Sequence, residues 1–229
     1  MTAKTDKRLR EARKAVLEAA LAPTAERGWT RGVLEDAVLA AGIDAPLAAR
    51  AFPRGVADLV MDFDARFDRQ MEVALGKHDL EQMRYRDRVG LAVRLRLEAM
   101  APHRDAARRA VAFHANPVRA ADGAKCLAVT ADAIWRALGD TSADFSFYTK
   151  RATLAAVLAA TTLVWLDDQE GTAWPAFLDR RLKDVLAIRI LRTRAEDAVA
   201  RTARGFAARV RRGFPAGLPG LCGIRPAFF

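Results

Sequence analysis

The sequence predicts an all-α protein, and three observations lead to that prediction. Alanine, leucine and arginine dominate the 229 residues, and all three favour helices. Valine, isoleucine and threonine seldom alternate with polar residues over runs of strand length. Apolar residues instead recur every three or four positions, which is the spacing that gives a helix one apolar face.

Most of the predicted helices have a sequence signal at one end. The first predicted helix carries Val16 and Ala20 on one apolar face, and Gly28 ends this helix. Gly42 ends the second, and Pro46 suits the first turn of the third because it lacks the amide hydrogen that would be unpaired there. The predicted helices cover residues 7–27, 32–41, a short segment from 46, and residues 56–75, 80–100, 102–113, 123–138, 143–166 and 172–190.

The predicted helix over residues 143–166 is apolar around most of its circumference. Thr141 can cap its first turn, and the carboxylate of Asp144 favours the positive end of the helix dipole. Because a helix that is apolar all round must be buried, we expect this helix in the interior. Its many alanines permit either close helix packing or an elongated cavity.

The residues that common enzyme sites require are missing. The two serines, Ser142 and Ser146, lie in no Gly-x-Ser-x-Gly turn, and the chain has neither a P-loop nor a glycine-rich dinucleotide motif. The histidines and cysteines lack the spacing of a metal motif. These residues are His78, His103, His114, Cys126 and Cys222. The sequence therefore predicts no catalytic residues, no metal site and no cofactor.

The net charge of +10 is concentrated at the end of the chain. Residues 180–229 hold 12 basic and three acidic residues, which leaves 26 basic and 25 acidic residues for positions 1–179. From Ile188 onward, apolar residues recur at steps of three and four between arginines, which predicts a basic amphipathic helix over residues 189–212. The glycines and prolines of residues 213–229 predict a flexible tail.

A basic amphipathic helix suits the surface of an anionic membrane. A packing or dimerisation helix and a nucleic-acid arm are the alternatives. The longest uncharged apolar run, residues 152–166, has 15 residues, whereas a membrane span needs roughly 20. The residues expected to contact the membrane are Leu191, Val199, Arg201, Arg204, Phe206, Arg209 and Val210.

The N-terminal region of the chain resembles the helix-turn-helix region of TetR-type regulators. The matching positions are Gly28, Leu34, Ala37, Ala41, Gly42, Ile43, Phe52, Pro53, Asp58 and Leu59. A recognition helix presents polar or basic side chains to DNA, but in residues 44–51 only Arg50 could make a charged contact, and Asp44 would repel phosphate. We favour a degenerate helix-turn-helix region over residues 1–60, and a DNA-binding transcriptional regulator is the alternative.

Three further stretches, residues 83–104, 130–151 and 174–184, resemble the Coq-nine family of ubiquinone-biosynthesis accessory proteins. The most specific motif is Gly-Asp-Thr-Ser-x-Asp-Phe-x-x-Tyr-Thr-Lys-Arg at residues 139–151. The resemblance covers about residues 14–188. It implies a TetR-like helical bundle that binds isoprenoid quinone intermediates or phospholipid at a membrane. It also implies that the protein presents the quinone to the demethoxyubiquinone hydroxylase and is not itself an enzyme.

The same resemblance assigns residues to these roles. Phe147 and Tyr148 lie where the family carries an aromatic pair implicated in contacting the hydroxylase, and core packing is the alternative. The lipid pocket is expected among Leu95, Trp135, Leu154, Leu158 and Trp165.

From their positions in the chain, we expect Lys150 and Arg151 to pair with Asp140 or Asp144. We also expect a homodimer that lies in the cytoplasm and associates peripherally with the inner membrane, without nucleic acid. The expected organisation is one helical unit of residues 1–60 and 61–188, followed by the amphipathic helix over residues 189–212 and the tail over residues 213–229.

Overall fold

The structure is a computed structural model, and it describes residues 3–141 and 145–185. Within these ranges the chain is helical almost throughout and has no β-strand, so the predicted all-α class is confirmed. The TetR-like topology stays a prediction. The helices are α1 (Ala3–Arg27), α2 (Arg31–Ala40), α3 (Ala45–Ala51), α4 (Val56–Leu75), α5 (Tyr85–Met100), α6 (Arg104–Ala115), α7 (Ala120–Ala137), α8 (Phe145–Asp167) and α9 (173–185, where the described residues end).

The first three helices end or begin at the residues that the sequence indicates. Gly28 and Gly42 follow α1 and α2 with φ angles of 71° and 65°, values that glycine adopts without steric cost. Helix α3 carries Pro46 in its first turn. Its N-cap is Asp44, whose Oδ1 accepts a hydrogen bond from the backbone N–H of Leu47 at 2.7 Å.

Helix α5 begins later than the predicted residue 80. The carboxylate of Asp79 accepts a hydrogen bond from the backbone N–H of Glu81 at 3.1 Å, and the N–H of Met83 donates to the carbonyl of Leu80 at 3.1 Å. These local bonds hold a turn in place of the first helical turn, and α5 begins only at Tyr85. Helix α6 similarly follows a 3₁₀ turn over Ala101–His103.

Helix α4 is the central element of the bundle because it packs against α1, α5 and α7. Its buried face carries Phe63, Phe67 and Met71 at steps of four residues. The ring of Trp29, between α1 and α2, meets Phe63 edge to face at 5.1 Å between centroids. The indole N–H of Trp29 also donates to the carbonyl of Ala106 at 3.0 Å, which fastens the N-terminal helices to α6.

A charged cluster lies inside this apolar bundle. The guanidinium of Arg96 on α5 donates to Asp68 at 2.7 Å and to Asp64 at 3.1 Å, and both carboxylates belong to α4. The hydroxyl of Thr130 on α7 also donates to Asp68, at 3.0 Å. Arg96 and Asp68 are buried, so their charges are screened little by water. The cluster therefore fixes how α5 and α7 are placed along α4.

The start of α9 is set by Asp168, which follows α8. Its carboxylate accepts hydrogen bonds from the backbone N–H groups of Gly171, Ala173 and Trp174 at 3.0, 2.7 and 2.9 Å. These bonds favour the charged form and hold the pKa of Asp168 below its ordinary value. Trp174 is consequently placed at the first turn of α9, where it is buried.

The chain divides into two units, residues 1–182 and residues 183–229. The first unit contains nearly all of the described residues. The predicted amphipathic helix over residues 189–212 and the predicted tail over residues 213–229 lie outside the described ranges. The division into four segments that the sequence suggests stays a prediction.

Replacing Arg96 with methionine should destabilise the protein strongly, because Asp64 and Asp68 would remain in the core without a cation. Removal of one partner from a buried ion pair costs about 3–5 kcal/mol in the free energy of unfolding. Burial already raises the pKa of Asp68, despite the opposing charge of Arg96. A carboxyl with a raised pKa destabilises the fold as the pH rises, so the variant should lose stability from acidic toward neutral pH. Urea unfolding at several pH values measures both effects.

Arg94 on the same helix provides the matched control. Its guanidinium pairs with Asp179 at 2.6 Å, but the two side chains are 36% and 51% exposed. An ion pair of this kind contributes about 0–1 kcal/mol. Equal losses for Arg94→Met and Arg96→Met would contradict a special role for the buried cluster.

Candidate functional site

Two basic residues near the start of α8 bind this helix to α7. The guanidinium of Arg151 lies 2.6 Å from Asp132 and 3.3 Å from Asp140, and the ammonium of Lys150 lies 2.8 Å from Asp140. The predicted pairing with Asp140 is therefore confirmed, while Asp144 lies outside the described residues. The pairing with Asp132 has no signature in the sequence, because Asp132 lies on the preceding helix, 19 positions before Arg151.

The predicted partner-binding residues, Phe147 and Tyr148, differ in their surroundings. The ring of Phe147 is partly buried, and the guanidinium carbon of Arg151 lies 3.4 Å from its centroid. Tyr148 is 69% exposed, and its ring meets that of Phe147 edge to face at 5.1 Å. The two rings thus form an aromatic pair in which Phe147 is held by Arg151 and Tyr148 lies at the surface.

Helix α8 is buried on one side only, so the expectation that it is buried all round was wrong. Helices α5, α6 and α7 pack against it, and Leu158 and Trp165 are buried on that side. On the opposite side Ala152 and Ala156 are exposed, and Leu163 is 56% exposed. The alanines on this side have small side chains, so the apolar surface that they present to water is limited.

The predicted lipid-binding residues lie on three helices that pack together, α5, α7 and α8. Leu95 is partly buried, and the other four are buried. Leu154, Leu158 and Trp165 follow one side of α8, and the rise of a helix places the first and last about 16 Å apart. The predicted residues therefore form an elongated seam rather than a compact group. Their role in binding lipid stays a prediction.

Two polar atoms along this seam are buried without a hydrogen-bond partner among the described residues. One is the indole nitrogen of Trp135, whose ring stacks on Tyr85 at 5.5 Å and lies 5.8 Å from the ammonium of Lys150. The other is the hydroxyl oxygen of Thr161, which lies between Leu158 and Trp165 on α8. An unpaired buried polar group is costly, so both atoms can gain from a ligand oxygen.

Two surface cavities are lined by residues other than the predicted lipid-binding ones. A cavity of about 540 Å³ at the end of α4 has acidic walls. It is lined by Glu72, Leu75, Gly76, His78, Asp79, Leu80, Glu81 and Ala137. A second, of about 750 Å³, is formed by α1 and α4 and is called the basic groove below. It is lined by Arg10, Arg13, Lys14, Leu17, Glu18, Asp62, Arg66, Arg69, Gln70, Val73, Ala74 and Lys77.

The basic groove concentrates positive charge in a part of the chain that is nearly neutral overall. Six basic and two acidic side chains line it. The two carboxylates pair with two of the arginines, Asp62 with Arg13 and Glu18 with Arg66. The other four basic side chains have no carboxylate partner within the described ranges. The groove has no signature in the sequence, because its residues come from two helices far apart in the chain.

The degenerate recognition segment occupies α3. Asp44 caps this helix through the bond to Leu47, so its carboxylate has a structural use. Arg50 is exposed, whereas Ala51 is buried. The described surface of α3 therefore presents one basic side chain and otherwise mainly alanine and leucine.

The residues predicted to contact a membrane surface fall in the part of the chain that is not described. They are Leu191, Val199, Arg201, Arg204, Phe206, Arg209 and Val210. Among the described helices, none combines the length and the apolar character that crossing a membrane requires.

Comparison with known proteins gives a family match over the region that contains the ion pairs of Arg151 and the aromatic pair. Residues 120–189 match the family model described as COQ9. This range contains α7, α8 and the described part of α9, and it includes the ion pairs of Arg151 and the exposed Tyr148. The matching family is the one that the sequence motifs resemble.

Individual relatives extend the match over most of the chain. The chain is 28% identical over 203 residues to ubiquinone biosynthesis protein COQ9, mitochondrial, of Drosophila melanogaster, which covers 85% of this chain and 61% of that protein. It is 28% identical over 183 residues to the Homo sapiens protein of the same name, and this match covers 75% of this chain and 56% of that protein. The chain thus spans about three fifths of the length of these relatives. The family model and the relatives agree, and both show that the chain is similar to COQ9 proteins.

Proposed function

We propose that this protein acts in ubiquinone biosynthesis as a lipid-binding protein without catalytic groups of its own. It binds isoprenoid quinone intermediates and presents them to the demethoxyubiquinone hydroxylase. The observation that carries the proposal is the family match over residues 120–189, together with the relatives named for ubiquinone biosynthesis. The described geometry of α7 and α8 supports the two binding roles separately.

The seam between α5, α7 and α8 supports binding of an isoprenoid quinone. Its length of about 16 Å along α8 suits an extended apolar chain. The buried indole N–H of Trp135 and the hydroxyl of Thr161 have no partner among the described residues, and both can donate to an oxygen. A quinone head group has two carbonyl oxygens that accept such bonds. Phospholipid is a second candidate ligand for the same seam.

The aromatic pair on α8 supports the contact with the hydroxylase. Tyrosine is favoured at protein interfaces because it gives a large apolar area with a polar end. Tyr148 is 69% exposed and is supported from below by Phe147 and Arg151. The support from Arg151 restricts the pair, so less conformational freedom is lost on binding.

The basic groove and the predicted amphipathic helix support contact with an anionic membrane. The groove combines six basic side chains with the apolar Leu17 and Val73, of which Val73 is 66% exposed. We place the protein at the inner membrane, on its surface and as a homodimer. The relatives are named as mitochondrial proteins.

DNA binding is the weaker alternative. Helix α3 has seven residues and exposes Arg50 as its charged side chain, whereas phosphate contacts need several. The basic groove lies between α1 and α4 rather than on α3. No described feature favours a transcriptional regulator over the family role.

Tyr148→Ala should impair ubiquinone synthesis without unfolding the protein, because it removes an exposed ring. In a strain that lacks the gene for this chain, demethoxyubiquinone should accumulate and ubiquinone should fall. The wild-type gene should restore ubiquinone, and the Tyr148→Ala gene should restore it only in part. Loss of an interface anchor that contributes about 2 kcal/mol would weaken binding to the hydroxylase about 30-fold. Quinone extraction and pull-down of the hydroxylase measure the two effects.

Leu39→Ala is the matched control, because Leu39 is 77% exposed on α2 and lies outside the matched region. It should behave like the wild type in both assays. A deletion strain with normal ubiquinone would refute the proposed function, and equal effects of the two variants would refute the role of Tyr148.

A chain that ends after Ile188 should bind anionic vesicles more weakly than the full chain. The truncation removes the arginines and apolar residues of the predicted amphipathic helix, and each basic residue near an anionic surface contributes about 1 kcal/mol. Flotation with vesicles of phosphatidylcholine and cardiolipin measures the difference, and vesicles of phosphatidylcholine alone are the control. Unchanged flotation of the truncated chain would contradict a membrane role for residues 189–212.

A further inference from the structure

Three side chains that could bind a metal ion meet inside the bundle, away from the seam and from Tyr148. They are Asp64 on α4, His114 on α6 and Cys126 on α7, and one ligand atom of each lies within 4.8 Å of the other two. The side chains of Asp64 and His114 are 19% and 14% exposed. Cys126 is a buried free cysteine. The cluster is therefore largely enclosed, yet two of its members reach the surface.

The imidazole of His114 is the unexplained member of this cluster. Both of its ring nitrogens are buried, and neither has a hydrogen-bond partner among the described residues. Oδ2 of Asp64 lies 3.7 Å from Nε2 of His114, too far for a hydrogen bond. A buried polar group without a partner costs about 1–3 kcal/mol. A neutral imidazole relieves that cost when a metal ion binds its lone pair.

The carboxylate of Asp64 is held so that one oxygen is available. Its Oδ1 accepts a hydrogen bond from the guanidinium of Arg96 at 3.1 Å, and its Oδ2 is the oxygen that faces His114. A residue that holds the outer oxygen of a metal-binding carboxylate fixes the orientation of the inner one. Arg96 can therefore position Asp64 as a ligand.

Gly123 allows His114 to occupy its position. A Cβ atom at residue 123 would lie 2.8 Å from Cβ of His114, closer than real Cβ atoms approach, and 3.2 Å from its Cγ. Gly123 lies one turn before Cys126 on α7. The backbone of α7 thus lies against the imidazole and brings the thiol of Cys126 to the same place.

The charges of the cluster also fit a dication. Asp64 and Asp68 carry two negative charges against the single positive charge of Arg96, so the core has one negative charge in excess. Burial, with the added effect of Asp64, raises the pKa of Cys126 to about 12. A bound dication would displace the proton of this thiol, because a coordinating thiol is deprotonated. The thiolate, the two carboxylates, Arg96 and the dication then sum to zero.

We propose that Asp64, His114 and Cys126 form a binding site for a divalent cation of the zinc type, with a fourth position left to water or another ligand. One oxygen, one nitrogen and one sulfur are donors that zinc accepts and that magnesium and calcium do not prefer. Tetrahedral bonds of about 2.0–2.3 Å place ligand atoms about 3.5 Å apart, so the cluster must contract by about an ångström. This site is independent of the proposed function.

This site has no signature in the sequence. Its three residues are separated by 50 and 12 positions, and they lack the close pairs of ligands that mark metal motifs. Packing of α4, α6 and α7 brings the residues together. The prediction that the chain has no metal site rested on spacing alone.

The test is a titration of the full chain with Co²⁺ after treatment with a chelator. We expect thiolate-to-cobalt charge-transfer absorption that saturates at one ion per chain, and displacement of cobalt by Zn²⁺. Cys126→Ser should abolish that absorption, whereas Cys222→Ser, which changes the other cysteine, should keep it. His114→Gln should weaken binding about tenfold or more, whereas His78→Gln, at an exposed residue of the turn after α4, should not.

The midpoint of thermal unfolding, measured with and without Zn²⁺, separates loss of metal binding from poor folding of a variant. Zn²⁺ should raise the midpoint of unfolding of the wild type and of Cys222→Ser, because it binds only the folded chain at this site. It should leave the midpoint of His114→Gln nearly unchanged. Absence of thiolate absorption in the wild type, or absorption that persists in Cys126→Ser, would overturn the proposal.

Discussion

The pairing of Arg96 with Asp64 and Asp68 is the constraint on which the rest of the bundle depends. Three charges inside an apolar core tolerate little displacement, because every hydrogen bond that is lost leaves a buried charge without a partner. Arg96 belongs to α5, the two carboxylates to α4, and Thr130 of α7 completes the set. The cluster therefore fixes the three helices along one another at a single point, which apolar packing alone specifies less strictly.

The position of α7 determines where the seam and the aromatic pair of Phe147 and Tyr148 lie. Thr130 fixes the middle of α7 to α4, and Trp135 follows one turn and a half later, against Tyr85. At the far end of α7, Asp132 and the following Asp140 bind Arg151 of α8. The same guanidinium lies over Phe147, so the position of the aromatic pair at the surface is tied to the ion pairs beneath it.

Much of the fold could be predicted from the sequence, because local signals carry it. Glycines with positive φ end α1 and α2, and Pro46 begins α3, each at the expected place. The start of α5 was missed because the side chain of Asp79 competes with the first turn. The site was less accessible to prediction. Three features depend on how the helices pack, and the order of residues does not specify that packing. They are the exposure of one side of α8, the basic groove, and the proximity of His114 to Cys126.

The central claim is that the seam between α5, α7 and α8 binds an isoprenoid quinone. Native mass spectrometry of the purified full chain, followed by titration with a ubiquinone of short isoprenoid tail, tests it most directly. We expect one bound lipid per chain. The change of Trp135 to phenylalanine, which keeps a ring but removes the indole N–H, should lower the affinity about two- to tenfold. A protein without bound lipid that takes up no quinone would contradict the claim.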